Sequence, residues 1–308
     1  MVIESGEVTL RRWRAMKGVY EVCLVSDRPR GAKKGIYCMK GGHVRRLIFL
    51  FQISLLAFSS PLWAKEEQVV DVQSRPGVTQ RMVVLVPDQP NAAVVLFAGG
   101  NGGLQIDSSG DINKLGGNFL VRTRSLFASK GLMVAVVDAP SDRQDPPFLA
   151  GFRQTTEHVA DIKAVIAWLK HKNNVPVWLV GTSRGTQSVA YIATQLAPAG
   201  GGPDGIVLTS TILSDQKGRP VTEMPIGRIN VPTLVVHHRN DGCNHCRPEE
   251  LPRLTEKLTA VPRKELLIFE GGEDKGDPCE AAGHHGFAGI EQDVVGKIAE
   301  WITRKSTR

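Results

Sequence analysis

Residues 175–185 read Val-Pro-Val-Trp-Leu-Val-Gly-Thr-Ser-Arg-Gly. A short apolar run rich in valine marks a buried strand. It ends in Gly181-Thr182-Ser183-Arg184-Gly185, which fits G-x-S-x-G, the pattern of a nucleophilic serine on a sharp strand-to-helix turn. Glycines are needed at both ends because bulky neighbours would clash in so tight a turn. The turn lifts the Ser183 hydroxyl out at the end of the sheet and at the N-terminus of the helix that follows. There, free backbone N–H groups and the helix dipole favour developing negative charge.

On either side of this stretch, strands and helices alternate. An opening hairpin is expected over Val69–Val72 and Arg81–Pro87, around Arg75-Pro76-Gly77. Further strands are expected at Ala92–Phe97, Leu132–Val137, Gly205–Thr209, Val231–His237 and Glu265–Phe269. Helices are expected at Phe119–Ser129, Thr156–His171, Gln187–Leu196, Glu249–Thr259 and Ala288–Ile302. Val159, Ile162, Ile166 and Leu169 share one helical face, as do Ile290, Val294, Ile298 and Ile302. This alternation predicts an α/β fold with a mostly parallel central sheet covered by helices on both faces. The segment between Ile212 and Val231 is too short for a large lid domain.

The chain has 308 residues and a net charge of +7. Residues 1–64 carry 11 Lys/Arg against 4 Asp/Glu, whereas the rest carry 27 of each, so the whole excess lies in the leader. A nucleic-acid partner is therefore not expected. Lys40, Arg45 and Arg46 precede an apolar run from Leu47 to Phe58; Ala64 then stands before the charged Lys65-Glu66-Glu67. This is the pattern of a secretory signal peptide over residues 39–64, cleaved after Ala64, and the run is too short to be a comfortable membrane anchor. Residues 1–38 read as an upstream extension without stable structure. Residues 65–308 read as one exported domain, periplasmic or secreted.

With these elements in place, the region from about 69 to 303 resembles an α/β-hydrolase, similar to small secreted dienelactone hydrolases and esterases. In that family the triad runs nucleophile, acid, histidine. The resemblance implies Ser183 as nucleophile. It implies Asp241 as acid, in the turn after the strand ending at His237, and His285 as base, in Gly283-His284-His285-Gly286-Phe287. His285 would take the serine proton and later protonate the leaving group, while Asp241 would fix the imidazole tautomer. The oxyanion donors would be the backbone N–H of Arg184 and one from the Gly99–Gly103 loop, at Asn101. The implied substrate is a small acyl compound such as an ester, and no cofactor is expected.

Several rivals stay open at this level. Asp215 is an alternative acid and His284 an alternative base. Asp138, at the end of its strand, more often shapes a loop. Arg184 either contacts an acidic substrate group or pairs locally. The residues His237, His238, Asp241, Cys243, His245, Cys246, Cys279, His284 and His285 are rich in metal-ligand types. However, Cys243-Asn244-His245-Cys246 is a single C-x-x-C without a second pair, so no metal is expected. A catalytically inactive binding protein on the same fold would also show this pattern. Three cysteines remain beyond the leader, and export favours oxidation. If Asp241 and His285 meet, their loops bring Cys243 and Cys279 together as a disulfide, with Cys246 the rival partner.

Overall fold

The protein, described as a computed structural model, is defined at residues 22–25, 36–39, 67–216 and 218–304. The chain divides into two units, Met1–Ala64 and Lys65–Arg308. In the first, β1 (Val22–Val25) and β2 (Ile36–Met39) pair antiparallel, with Cys23 opposite Cys38. The rest of the expected extension over 1–38 lies outside the described residues, as does all of the expected signal peptide over 39–64 except Met39.

The second unit is built on eight strands: β3 (Gln68–Arg75), β4 (Val78–Leu85), β5 (Ala92–Phe97), β6 (Leu132–Val137), β7 (Val177–Thr182), β8 (Gly205–Thr209), β9 (Thr233–His238) and β10 (Lys264–Phe269). They lie in the order β10-β9-β8-β7-β5-β6-β4-β3. β4 runs antiparallel to both of its neighbours, and the ladders from β6 through β10 are parallel. Parallel strands are buried on both faces, which is why β5, β6 and β7 read as unbroken apolar runs.

Successive side chains go to opposite faces. Val95, Leu179 and Leu208 thus join one core with Ile162 and Ile166 of α3 (Thr156–Asn173) and Val189 of α4 (Gly185–Gln195). Val94, Leu96 and Val180 join the other with Phe119, Phe127 and the Val294, Ile298 and Trp301 face of the C-terminal helix Glu291–Thr303. Each such fully buried aliphatic side chain contributes about 1.5–3 kcal/mol.

Local chemistry sets the helix ends. Thr155 caps α3 by accepting from the His158 N–H at 3.2 Å, and Asn174 ends it in the left-handed conformation at φ 44°. The single helix expected over Phe119–Ser129 is two, α1 (Phe119–Arg122) and α2 (Arg124–Ser129). The break falls at Thr123, whose Oγ1 and N–H both donate to the Phe119 carbonyl, at 2.6 and 3.1 Å; back-bonding of this kind bends helices. The connection from β8 to β9 holds two short 3-10 turns, Val221–Glu223 and Ile226–Arg228, and no lid domain among its described residues. No helix of the described residues is long and apolar enough to cross a membrane.

Candidate active site

The G-x-S-x-G turn joins β7 to α4 at the carboxyl end of the sheet. Ser183 sits at φ 52°, a left-handed conformation that costs a non-glycine residue on the order of 1–3 kcal/mol. Neighbours hold it there. The Ser183 N–H donates to the Thr209 carbonyl at 3.0 Å, and Thr186 donates to the Ser183 carbonyl from both its N–H and its Oγ1, at 2.9 and 2.6 Å. The glycines are sterically required: a Cβ on Gly181 would lie 2.6 Å from the Gly185 backbone, and one on Gly185 would lie 2.2 Å from the Phe97 carbonyl oxygen.

Asp241 and His285 converge. His285 Nδ1 lies 3.0 Å from Asp241 Oδ2 and 3.2 Å from Oδ1, and both side chains are buried. Asp241 Oδ1 also accepts from the Cys243 N–H at 3.0 Å, which fixes the carboxylate. The His285 Nε2 atom is buried and makes no hydrogen bond. Ser183 and His285 line the same cavity of about 660 Å³.

The rivals are placed elsewhere. Asp215 pairs with Arg184 at 2.6 Å and with Gln187 at 3.3 Å. His284 stacks on His238 at 4.1 Å and its Nδ1 meets the Asn240 carbonyl at 3.2 Å. His237 is fully buried, its Nε2 accepting from the Thr211 N–H at 2.7 Å, and burial pushes its pKa down to about 4. Burial also lowers the pKa of His238, which accepts from the Asn240 N–H at Nδ1. Asp138 shapes a loop, taking the N–H groups of Leu104, Gln105, Ile106 and Ala139.

Asn101 faces a second cavity, and the loop residues that line the Ser183 cavity are Gly99 and Gly100. Gly99 approaches the serine closely: a Cβ there would stand 3.0 Å from the Ser183 Cβ. Arg184, the other expected donor, is the N-cap residue of α4.

Two supports were not legible in the sequence. Arg122 Nη2 donates to the Gly286 carbonyl at 2.6 Å and to Glu291 at 3.0 Å, tying the histidine loop to α1. Ser210 Oγ donates to the His285 carbonyl at 2.8 Å from a left-handed backbone at φ 42°. Neither belongs to a short motif; only distance in space relates them to His285.

Cys243 and Cys279 form a disulfide, and Cys246 is a free, buried thiol. Donor atoms of Cys243, Cys246 and His285 lie within 4.8 Å of one another. With Cys243 Sγ held in the disulfide, that trio offers no pair of thiolates to a metal.

No family model matches the chain, and no curated protein matches it. Solved structures do. A dienelactone hydrolase from Anabaena variabilis is 14% identical, covering 77% of this chain and 96% of its own, with a TM-score of 0.54. An esterase from Pyrococcus furiosus is 13% identical over 78% of this chain and 92% of its own, with a TM-score of 0.57. Est1E from Butyrivibrio proteoclasticus, solved with ferulic acid bound, is 13% identical over 76% and 97%, with a TM-score of 0.51. The chain has the α/β-hydrolase fold, and it resembles dienelactone hydrolase and esterase structures in the path of its backbone.

Proposed function

We propose that the chain is an exported serine hydrolase that cleaves a carboxylic ester or a related acyl compound through Ser183, His285 and Asp241. The observation that carries this reading is the Asp241–His285 pair, buried behind a cavity that it shares with Ser183. With the Nδ1 proton directed to Asp241, the His285 Nε2 lone pair faces the reaction as a base. Ser183 Oγ attacks the acyl carbon while its proton passes to Nε2. The carbonyl oxygen becomes an oxyanion, held by the Arg184 N–H and by an N–H of the Gly99–Gly100 backbone. As the bond to the leaving oxygen breaks, Nε2 returns the proton to that oxygen. Water then repeats the sequence on the acyl-enzyme, its proton going to Nε2 and then to the departing Ser183 oxygen, which frees the acid. Asp241 stabilises the transient imidazolium throughout.

Hydrolase names among the structural neighbours support the class, and the leader pattern with the Cys243–Cys279 disulfide supports export. A serine-directed fluorophosphonate tests the mechanism. The wild-type protein is expected to take up one label per chain at Ser183, and Ser183→Ala none. Equal labelling of the two proteins would discard Ser183 as the nucleophile.

A further inference from the structure

Four successive carbonyls in the loop after β5 are held from one side. Arg153 Nη2 donates to those of Ala98, Gly99 and Gly100 at 3.0, 3.4 and 3.3 Å, and the Leu149 N–H donates to that of Asn101 at 2.9 Å. Carbonyl oxygens gathered around one atom repel one another, and a cation among them relieves that repulsion. The other arm of the guanidinium, Nη1, donates to Ser188 Oγ at 3.0 Å, on α4. One side chain thus joins this loop to the helix that opens at the G-x-S-x-G turn. Arg153 is 5% exposed, and its Nε is buried without a hydrogen-bond partner. Among the described residues no carboxylate lies within ion-pair distance of it. Burial, reinforced by Arg184, pushes its pKa down to about 9, so it stays a cation at neutral pH. A Cβ on Gly102 would lie 2.5 Å from Arg153 Nη2, so glycine at that position admits the guanidinium.

A charge buried without a counter-charge destabilises the folded chain. The peptide geometry shows what it gains. In a trans peptide the N–H points opposite to the C=O of the same unit. With the Ala98 and Gly99 carbonyls turned to Arg153, the N–H groups of Gly99 and Gly100 turn away from it. Neither donates to any group among the described residues, and both residues line the Ser183 cavity. Free, fixed donors beside the serine are what a developing oxyanion needs.

We propose that Arg153 is a positioning residue for the oxyanion hole: it fixes the Gly99 and Gly100 peptide units against α4 from behind, and its unpaired charge is met by the oxyanion that forms on their far side during the reaction. This rests on the hydrolase reading above. A cation at the carbonyl end of a peptide polarises it and makes its N–H a stronger donor. A neutral ester gains little from that charge and the oxyanion gains much, so the effect falls on kcat rather than on KM.

The test measures p-nitrophenyl acetate turnover by the wild type, by Arg153→Gln and by Arg153→Lys, with kcat expressed per site titrated by a fluorophosphonate. Arg153→Gln is expected to lower kcat about tenfold or more with KM within about twofold of wild type. Arg153→Lys, which keeps the charge and one arm, should fall between the two. Phenylboronic acid adds to the serine as a tetrahedral anion, so its inhibition constant should rise in Arg153→Gln by about the factor that kcat falls. A merely structural clasp would lower thermal stability and leave kcat per titrated site and boronate affinity unchanged, and that result overturns the proposal. So does Arg153→Lys no better than Arg153→Gln. If Arg153→Gln does not fold, Ser188→Ala replaces it; releasing the Nη1 arm is expected to lower kcat severalfold, and unchanged kcat overturns the proposal. Wild-type protein that neither cleaves the ester nor takes up the label would sink the hydrolase reading itself, whereas active wild type with unaffected variants would sink only the role of Arg153.

Discussion

His158 gives the sharpest physical prediction. It sits on α3, 1% exposed, edge-on to Phe97 and Phe152 with ring centroids 6.2 and 5.6 Å away. Neither ring nitrogen has a hydrogen-bond partner. Burial, with Arg153 and Arg75 nearby, pushes its pKa from 6.5 down to about 3. A histidine whose folded-state pKa is depressed is protonated first in the unfolded chain. Its stability term is therefore intact above about pH 6.5 and is lost progressively as the pH falls towards 3. Each pH unit below the unfolded value costs about 1.4 kcal/mol, so near pH 5 this one side chain removes about 2 kcal/mol. His158→Leu keeps a similar volume and removes the titration. Urea unfolding of both proteins, with the disulfide oxidised, is compared near pH 7.5 and near pH 5. The variant is expected to be at least as stable near pH 7.5, because the unpartnered nitrogens cost about 1–3 kcal/mol. Its advantage should then grow by about 2 kcal/mol near pH 5. His237, pushed down to about 4, responds alike in both proteins and cancels. Curves that shift in parallel between the two pH values would show that His158 is not held neutral by burial.

Ser183→Ala is expected to abolish turnover of p-nitrophenyl acetate while thermal unfolding stays within a degree or so; wild-type-like turnover would rule out the serine mechanism. His285→Ala should lose activity nearly as completely, and His284→Ala should keep most of it, because His284 stacks on His238 rather than meeting Asp241. The reverse order of activities would reassign the base. Cys279→Ser opens a bridge spanning 36 residues and is expected to cost about 3–4 kcal/mol in urea unfolding on the chain-entropy account. Non-reducing peptide mapping of the wild-type protein should recover a peptide that links Cys243 to Cys279. The exported protein is expected to begin at Lys65, and N-terminal sequencing that finds Met1 would contradict the leader reading.

Periodicity and turn chemistry carried most of the architecture. The strand runs at Ala92–Phe97, Leu132–Val137 and Gly205–Thr209 coincide with β5, β6 and β8, because strands buried on both faces must be apolar throughout. Helix ends were less legible. The break at Thr123 falls within a continuous apolar pattern, and its side-chain hydrogen bond to the Phe119 carbonyl is one that no hydrophobic period reports. The elbow at Ser183 could be read from five residues because its demands are local: each glycine answers a clash with backbone packed directly against the turn.

What the sequence determined by itself was therefore the fold class, the G-x-S-x-G turn, and a short menu of acids and histidines at strand ends. Which partners meet was a tertiary decision. Adjacent histidines share one loop in the sequence, yet the 3-10 turn His284–Gly286 sends them to opposite surroundings, His285 to Asp241 and His284 to His238. Asp215 and Asp241 each follow a strand, yet Arg184 claims the first and leaves the second to His285. That Gly99 and Gly100 line the Ser183 cavity while Asn101 lines another is likewise decided by how the loops pack. Local sequence sets backbone conformation and which groups want burial. Pairing between charges far apart in the chain is settled only when packing fixes their separation, because these interactions act over a few ångströms and not over sequence distance.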